Sequence, residues 1–396
     1  MDTSPHTPGA ADVEFSLVTG DPLHHAQRVL GLIPARGRGT GRRILIGVAL
    51  TWVPLILWAV WNRLLLPGVA EEPLLRHFGV HARFLVALPL FLASEGLVDL
   101  TLRRVLPQFV TSGLVDESLH PAFRRILVDA ARLRDSRAAL AVIIAMVVAS
   151  SLWGWSGADH NHELVWAAPV VGRGFVAVWF NGVSRPIFLL VLLAWLWRLV
   201  VVTRLFQRIA GLDLRLAPTH PDRAGGLGFV ETLPAAFAPF FFGVAVVIAA
   251  RWGHDALYHG MAVRALRFPA ALLVAASVLI GVAPLVVFTG KLMAFKRQSR
   301  VAVGALLAEY GRLFDKRWLR REPVDDAEML GAPEIGPVAD TVALFEAVAQ
   351  MRVVPVSRAT VVPLALAAAL PIVAVFATQM PLKDALLKVL APLIGL

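Results

Sequence analysis

The chain has 396 residues, of which 57% are hydrophobic and only 17% are charged, and its formal net charge is +10. About a quarter of the residues in a soluble domain are charged. Here the apolar residues form blocks that reach the about 20 residues needed for a membrane-spanning helix. The composition therefore excludes an ordinary soluble domain. The absence of cysteine excludes a disulfide framework and a thiolate metal site.

The apolar blocks predict an all-α, polytopic transmembrane helix bundle of six to seven spans, because a helix satisfies its own backbone polar groups in lipid. The frame of the fourth span is open, and the seventh either crosses fully or re-enters. We predict an N-terminal segment with a short interfacial helix, a six-span domain, amphipathic cytoplasmic helices, and a last span with an amphipathic tail. Their ranges are 1–43, 44–290, 291–360 and 361–396. The predicted spans cover 44–65, 84–102, 138–155, part of 175–202, 233–250, 268–288 and 361–378.

The N-terminal segment predicts one short helix near Asp21 and Pro22, with Asp21 as its cap and Pro22 in its first turn. Residues 1–30 contain no continuous apolar core, so no cleavable signal peptide is predicted. In the connection 291–360, residues 292–319 and 338–351 have the spacing of two amphipathic helices.

The basic residues lie on alternate connections. The segments to residue 43 and over 103–137, 198–232 and 291–360 hold 28 of the 38 lysines and arginines. By the positive-inside rule these segments are cytoplasmic, which predicts a plasma-membrane protein with a cytoplasmic N-terminus. The basic charge then faces anionic inner-leaflet lipids rather than nucleic acid. A homo-oligomer is compatible with the sequence.

A polar, glycine-rich turn, THPDRAGGLGF, occupies residues 219–229 between two long apolar runs. Pro218 and Pro221 stop the preceding helix. The turn predicts either an anion site, formed by its polar side chains and unpaired amides, or a tight turn in which Asp222 caps the next helix. The candidate anion-binding residues are His220, Asp222, Arg223, Gly225 and Gly226.

Three segments together resemble a family of uncharacterised bacterial multi-span membrane proteins. They are LDLRLAPTHPDRAGGLGF at 212–229, VHARFLVALPLFLASE at 80–95 and VAQMRVVPVSR at 348–358. The resemblance covers most of residues 20–390. It implies a membrane location and a shared helical core, and it transfers no catalytic role.

The second span carries Glu95 and Asp99, which lie on one helix face with Arg103. Glu95 is about 10 Å from the predicted cytoplasmic end, and an ionisable group at that depth suggests a function. It either lines a path for protons or cations, or forms a structural ion pair. Its candidate partners in the fourth span are Arg185 and Arg198, and the frame that begins at Pro186 puts Arg198 at the matching depth.

Histidines gather in the predicted outer loops. His77 and His81 are one helical turn apart, and two further pairs accompany carboxylates. Imidazole and carboxylate suit zinc or similar ions, although histidines also occur at wet helix ends without a metal. The candidate metal ligands are His160, His162, His254 and His259. No cofactor is predicted beyond this open alternative.

Three functional classes follow from these features. Transport or channel-type movement of a small solute or ion comes first, with Glu95 and Asp99 lining the path. A membrane scaffold or sensor acting through its cytoplasmic helices comes second. An inner-leaflet lipid-modifying enzyme around His220, Asp222 and Arg223 comes last, because no set of acid, base and nucleophile accompanies that turn.

Overall fold

The computed structural model describes residues 15–34, 39–68, 72–155, 162–167, 174–323 and 336–379. These residues are helices and connections, with no strand among them. Seven helical stretches are long and apolar enough to cross a membrane. The predicted all-α, multi-pass membrane fold is therefore confirmed, with seven candidate spans. They are Thr40–Trp61, Phe78–Thr111, Glu117–Gly154, Gly174–Ala210, Gly228–Tyr258, Val263–Val286 and Arg358–Phe376.

The helices within these spans and their connections are numbered α1 to α15 in chain order. Their ranges are α1 Pro22–Val29, α2 Thr40–Thr51, α3 Val53–Trp61, α4 Phe78–His81, α5 Leu88–Thr111, α6 His120–Arg134, α7 Arg137–Trp155, α8 Gly174–Trp179, α9 Arg185–Ala210, α10 Leu233–Ala236, α11 Ala238–Tyr258, α12 Arg267–Val286, α13 Thr289–Phe314, α14 Gly336–Gln350 and α15 Arg358–Phe376. The 3₁₀ turns are Leu74–Arg76, Glu117–Leu119, His162–Ala167, Gly228–Thr232 and Val263–Leu266, and the π-helical turns are Ala82–Ala87, Phe180–Ser184 and Asp315–Leu319.

Consecutive spans run in opposite directions, so the bundle has two ends. One end, here named the basic end, holds residues 15–34, 39–43, 99–137, 198–232, 288–323 and 336–358. The other, named the histidine end, holds residues 62–68, 72–81 and 254–266. Gln379 follows α15 and donates to the carbonyl oxygens of Ala256 and Met261, at 3.2 and 3.0 Å. The seventh span therefore runs from the basic end to the histidine end.

Prolines explain several breaks inside the spans. Pro54 lies in the first turn of α3 and lacks the amide needed for a continuous ladder, and the first span breaks at Trp52. Pro89 and Pro186 lie in the first turns of α5 and α9, each directly after a π-helical turn. Their missing amides leave room for the wider π hydrogen bonding. The fourth span nevertheless continues from Gly174 to Ala210 and so covers both predicted frames.

The two π-helical turns face each other in the bundle. The Phe84 ring meets the Phe180 ring edge to face, with centroids 6.3 Å apart. Ser184 donates to the carbonyl oxygen of Thr51 at 2.8 Å, at the break of the first span. Spans one, two and four therefore pack at their irregular turns, where a side chain supplies a partner to a backbone group that the helix leaves exposed.

Aromatic side chains fill the bundle between its two ends. Phe91 packs against Phe188 and Phe240, with centroid distances of 5.7 and 5.1 Å. Trp195 stacks on Phe240 and donates its indole N–H to the carbonyl oxygen of Phe91 at 3.0 Å. Residues Phe84, Phe91, Trp195 and Phe240 are at most 1% exposed. The layer is thus a packed core without unpaired polar groups.

The N-terminal segment is held against the basic end. Asp21 caps α1 by accepting from the Leu23 amide at 3.0 Å, and Pro22 begins the helix, as predicted. Arg134 donates to the carbonyl oxygens of Ser16 and Thr19, the latter at 2.7 Å. Phe15 and Leu17 are buried. Residues 15–34 are thereby fixed to the bundle by backbone contacts and by apolar burial.

The two amphipathic helices of the 291–360 connection are present with altered bounds. The sixth span ends at Val286, a short break follows, and α13 then runs to Phe314 before a π-helical turn to Leu319. The second predicted helix corresponds to α14, which packs against α13. Residues 325–330, predicted to separate the two, lie outside the described residues.

Candidate functional site

The central turn is organised by one carboxylate. Asp222 Oδ1 accepts from the amides of Ala224 and Gly226 at 2.7 and 3.2 Å, and Oδ2 accepts from the Gly228 amide at 2.7 Å. Burial acts to raise the pKa of Asp222, but these amide hydrogen bonds outweigh it and hold the pKa below its usual value. The predicted anion position is thus occupied by a side chain of the turn itself.

The remaining predicted residues of the turn have structural contacts. His220 Nδ1 lies 2.9 Å from Asp222 Oδ1. Gly225 and Gly226 have φ angles of +69° and +97°, which suit glycine. Arg223 also has a positive φ, and its carbonyl oxygen accepts from the Arg352 amide at 2.6 Å. The turn is therefore a closed backbone motif in which the amides of Ala224, Gly226 and Gly228 have no capacity left for an external anion.

Arg352 joins this turn to the segment before α15. Its guanidinium donates to the carbonyl oxygen of Asp222 at 2.8 Å and pairs with Glu231 at 2.7 Å. Lys296 donates to the carbonyl oxygen of Met351 at 2.6 Å. Two of the three segments that carry the family resemblance, 212–229 and 348–358, thus meet at the basic end.

A buried charge network connects the N-terminal segment with spans one, two and four. Arg198 donates to Glu95 at 2.8 Å and to Asp21 at 3.0 Å. Arg43 pairs with the other oxygen of Glu95 at 2.6 Å. The side chains of Arg43, Glu95 and Arg198 are at most 5% exposed. Two acids and two arginines balance one another, as burial of charge demands.

Asp99 and Arg185 have different surroundings. Asp99 accepts from Ser16 at 2.6 Å, from the Leu17 amide at 3.2 Å and from Arg103 at 3.1 Å. Arg185 lies beside Gly154 on α7, since a Cβ built there would be 2.8 Å from its guanidinium. Glu95 and Asp99 therefore bind the N-terminal segment and its neighbours, and Arg198 rather than Arg185 reaches Glu95.

A second cluster of ionisable side chains lies at the histidine end. Glu72 comes from the connection between spans one and two, His77 precedes α4, and His254 lies near the end of α11. One Glu72 oxygen, Oε2, is 3.5 Å from His77 Nε2 and 3.4 Å from His254 Nε2. One potential ligand atom from each of the three residues lies within 4.8 Å of the other two, which suits a single metal ion.

His259 adds a fourth group at the rim of this cluster. Its Nε2 is 3.3 Å from His254 Nε2 and 3.3 Å from Glu72 Oε1. A tetrahedral zinc site with bonds of about 2.0–2.1 Å has neighbouring ligand atoms about 3.3–3.4 Å apart. The contacts of Glu72 Oε2 with His77 and His254, and of His254 with His259, are 3.3–3.5 Å and lie near that spacing, whereas His259 faces the other oxygen of Glu72. We define Glu72, His77, His254 and His259 as the histidine-end cluster.

The hydrogen bonds of the cluster orient its nitrogens. His254 Nδ1 is 2.9 Å from the carbonyl oxygen of Arg76, so this nitrogen carries a proton and Nε2 is the ring nitrogen that faces Glu72. A backbone carbonyl behind the ring is the usual support of a metal-bound histidine. His77 Nε2 is buried and has no hydrogen-bond partner within the described residues.

The pKa of His77 also suits metal binding. Burial, followed by the neighbouring His254, lowers the pKa of His77 to about 4, against the opposing effect of Glu72. The ring is therefore neutral at neutral pH, and its side chain is only 5% exposed. Neutral imidazole nitrogens and a carboxylate all supply lone pairs. Their convergence leaves a position that a cation or a proton must stabilise.

His81 has a different role from His77. Its Nδ1 accepts from the indole of Trp52 at 3.0 Å, and its Nε2 is 3.0 Å from the carbonyl oxygen of Leu74. Both ring nitrogens are therefore engaged in holding the turn at Leu74 beside the first span. This contact positions the segment that carries Glu72.

The structure brings together only part of the metal set predicted from the sequence. His254 and His259 meet in the cluster, whereas His160 and the side chain of His162 lie outside the described residues. Glu72 was not among the predicted ligands, because no histidine follows or precedes it at a metal-ligand spacing in the sequence. The available signal was His77, whose position beside a short outer loop resembles that of His254 and His259.

No protein-family model matches the chain, and neither a curated protein nor a solved structure matches it. The geometry of the described residues therefore carries the functional interpretation.

Proposed function

We propose that this multi-pass membrane protein binds a divalent transition-metal ion, with zinc the best fit, at the histidine-end cluster. The single observation that carries the proposal is the buried Nε2 of His77, which has no hydrogen-bond partner among the described residues and lies 3.5 Å from Glu72 Oε2, beside His254. Imidazole and carboxylate ligands favour zinc over calcium or magnesium, which prefer oxygen ligands.

The metal acts at the histidine end and is not conducted through the bundle. Along the second span the path from the cluster towards Glu95 passes Phe84 and Phe91, both fully buried. Beyond them, Arg43 and Arg198 repel a cation. The cavity that touches Asp21 has a volume of about 20 Å³, which is close to the space of one water molecule. These features favour a surface role over transport.

The arginine distribution supports an orientation with the histidine end outside a bacterial inner membrane. The basic end would then face anionic lipids in the cytoplasmic leaflet. In this orientation the cluster samples metal in the outer compartment without any need for a crossing path.

A sensor is the second candidate function. The span Gly228–Tyr258 carries His254 at one end and begins at the central turn, where Glu231 binds Arg352 at 2.7 Å. A structural change caused by metal binding at one end would be transmitted along this helix to α13 and α14. Hydrogen exchange of α14 with and without zinc tests the idea, and unchanged exchange at saturating zinc would contradict it.

An inner-leaflet enzyme centred on the turn receives less support. Asp222 is committed to three backbone amides and to His220, and the carbonyl oxygens of the turn bind Arg352. A scaffold role without metal would use only the helices α13 and α14. It does not explain the histidine-end cluster.

The metal site is tested on detergent-purified protein that has been stripped with a chelator and dialysed. Bound zinc is measured by elemental analysis, and thermal stability is measured across a zinc titration. We expect saturable binding of about one ion per chain and a melting temperature that rises with zinc, since a ligand of the folded state stabilises it.

Glu72→Gln, His77→Gln and His254→Gln should each abolish both effects at zinc concentrations that saturate the native protein. His25→Gln is the matched control, because His25 is an exposed histidine at the basic end. Native protein that neither retains zinc nor gains stability from it would refute the proposal.

A further inference from the structure

A groove of about 440 Å³ lies at the basic end between α13, α14 and the segment before α15. Most of its wall comes from α13, at positions i, i+3, i+4, i+7 and i+8, which is the spacing of one helix face. These residues are Met293, Lys296, Arg297, Arg300 and Val301. One face of α13 therefore mixes cations with apolar side chains and presents both to the groove.

The groove holds three cationic side chains and no acidic one. Lys296 donates to the carbonyl oxygen of Met351 at 2.6 Å, and its ammonium group keeps two further N–H donors. The Arg300 guanidinium lies over the Phe345 ring at 5.9 Å. Within the described residues, no carboxylate pairs with Lys296, Arg297 or Arg300. The three positive charges are therefore uncompensated and favour an anion.

The same groove leaves apolar side chains exposed. Met293 is 54% exposed and Val301 is 70% exposed. Phe345 from α14 and Val353 from the segment before α15 complete the apolar wall. Exposed apolar side chains beside lysine and arginine on one helix are typical of a helix at a membrane interface. A soluble anion would contact the cations but would leave these apolar side chains in water.

The groove begins close to the end of a membrane span. The sixth span ends at Val286, and Met293 follows it by seven residues, or about two helical turns. Residues 287–308 contain four basic residues and no acidic residue. A basic cluster directly after a span attracts the anionic lipids of the adjoining leaflet. The position therefore favours a lipid headgroup over an anion from the bulk solution.

Contacts with the bundle fix the walls of the groove. Leu292 is fully buried and Phe295 packs against the same core, so another face of α13 is anchored to the spans. The segment before α15 is held by Arg352, which donates to the carbonyl oxygen of Asp222 at 2.8 Å. A groove that is already formed loses little conformational entropy when a ligand binds.

We propose that this groove binds an anionic glycerophospholipid, with its phosphate group among Lys296, Arg297 and Arg300 and its acyl chains along Met293 and Val301. Hydrogen bonds between cationic side chains and a phosphate are charge-assisted and strong. The volume is within the about 300–1,000 Å³ of ligand sites. The proposal goes beyond the metal site and does not depend on it.

The test uses delipidated full-length protein in detergent, and native mass spectrometry counts the lipids that it binds. Phosphatidylglycerol is compared with phosphatidylcholine of the same acyl chains, which is zwitterionic. It is also compared with glycerophosphoglycerol, which has the same charged headgroup and no acyl chain. We expect phosphatidylglycerol to bind at a concentration about tenfold or more below that of either compound.

Arg297→Gln and Arg300→Gln should each weaken phosphatidylglycerol binding by about fivefold. The combined variant should weaken it by about tenfold or more and reduce the preference over phosphatidylcholine. Arg312→Gln is the matched control, since Arg312 is an exposed arginine of the same helix and does not line the groove. This control should bind phosphatidylglycerol as tightly as the native protein does.

Two results would overturn the proposal. A folded combined variant with native affinity for phosphatidylglycerol would remove the lipid from the groove and leave an acidic segment of a partner protein as its occupant. Equal affinity for glycerophosphoglycerol would make the ligand a soluble phosphodiester. If the combined variant fails to fold, the single variants and the comparison of ligands on the native protein decide the matter. Neither result bears on zinc binding at the histidine end.

Discussion

Glu95 on the second span and Arg198 on the fourth form a hydrogen-bonded ion pair of 2.8 Å inside the bundle. Each of them also has a second partner, since Arg43 reaches Glu95 at 2.6 Å and Asp21 reaches Arg198 at 3.0 Å. The pair therefore ties the N-terminal segment and the first span to the centre of the bundle. Its geometry is that of a structural network in which every charge is compensated.

Removal of Glu95 should destabilise the protein. Glu95→Gln leaves two buried arginines with only Asp21 to compensate them, and an uncompensated buried charge costs about 3–5 kcal/mol. Arg198→Gln should cost a similar amount. The double variant retains Arg43 and Asp21, which are opposite in charge. Its loss of unfolding free energy should therefore be smaller than the sum of the losses in the two single variants. Thermal unfolding of the four proteins measures the coupling.

The same series distinguishes a wet carboxylate from a structural one. If Glu95 lined a water-filled path, Glu95→Gln would leave the melting temperature nearly unchanged, because solvent rather than arginine would stabilise the charge. Arg132→Gln serves as the control, since Arg132 and its partner Asp129 are both exposed and a surface ion pair contributes about 0–1 kcal/mol. Additive losses in the double variant would contradict the network.

Asp222→Asn should destabilise the central turn. The carboxylate accepts three backbone amides, and the neutral amide replaces one of its two acceptor oxygens with a donor. The loss should be about 1–3 kcal/mol, the cost of leaving a partly buried donor without its acceptor. Asp340→Asn is the matched control, because Asp340 is exposed on α14. Equal melting temperatures for both variants would contradict the role of Asp222.

The effect of Asp222 should depend on pH in one direction. The amide hydrogen bonds, acting against partial burial, lower its folded pKa below the ordinary 3.8. A lowered carboxyl pKa contributes stability that is complete above the ordinary value and is lost as the pH falls through the folded value. The difference in unfolding free energy between native protein and Asp222→Asn should therefore be constant above about pH 5 and shrink in stronger acid.

Hydrophobic runs sufficed to predict six or seven spans, because each helix must satisfy its own backbone in lipid, and they left open whether the seventh crosses. The exact positions of helix breaks near prolines were harder to predict from the sequence. Pro54 predicts a break in the first span, and in the structure that break lies at Trp52, two residues earlier. The sequence left open whether the fourth span began at Phe175 or Pro186. The π-helical turn at Phe180–Ser184 makes the two alternatives parts of one helix.

The candidate site could be predicted only in part, because its residues come from separate connections. Glu72 is 182 positions from His254, and only the packing of the second span against α11 brings them together. For residues 219–229 the sequence left open an anion site or a tight turn in which Asp222 acts as a cap. In the structure the Asp222 carboxylate accepts hydrogen bonds from the backbone amides of the turn. A local sequence motif does not show whether one of its own side chains will fill the anion position.

The orientation of the bundle can be tested directly because the native chain has no cysteine. Ser118→Cys and Ala265→Cys introduce single exposed thiols at the basic end and the histidine end, respectively. A membrane-impermeant maleimide applied to intact cells should label Ala265→Cys, whereas Ser118→Cys should react only after permeabilisation. This expectation follows from the arginine-rich basic end. The reverse pattern would invert the proposed topology.

Gly243 permits the close approach of α11 to the second span. A Cβ at this position would lie 2.7 Å from Cε1 of Phe91 and 3.3 Å from the backbone Cα of Ala87. Gly243→Ala should therefore force the helices apart and lower the unfolding free energy by about 1–3 kcal/mol. Gly290→Ala is the control, because a Cβ there meets nothing within 4 Å, and alanine favours the helix by about 1 kcal/mol. The two variants should shift the melting temperature in opposite directions. A stabilised Gly243→Ala protein would mean that these helices are not in close contact.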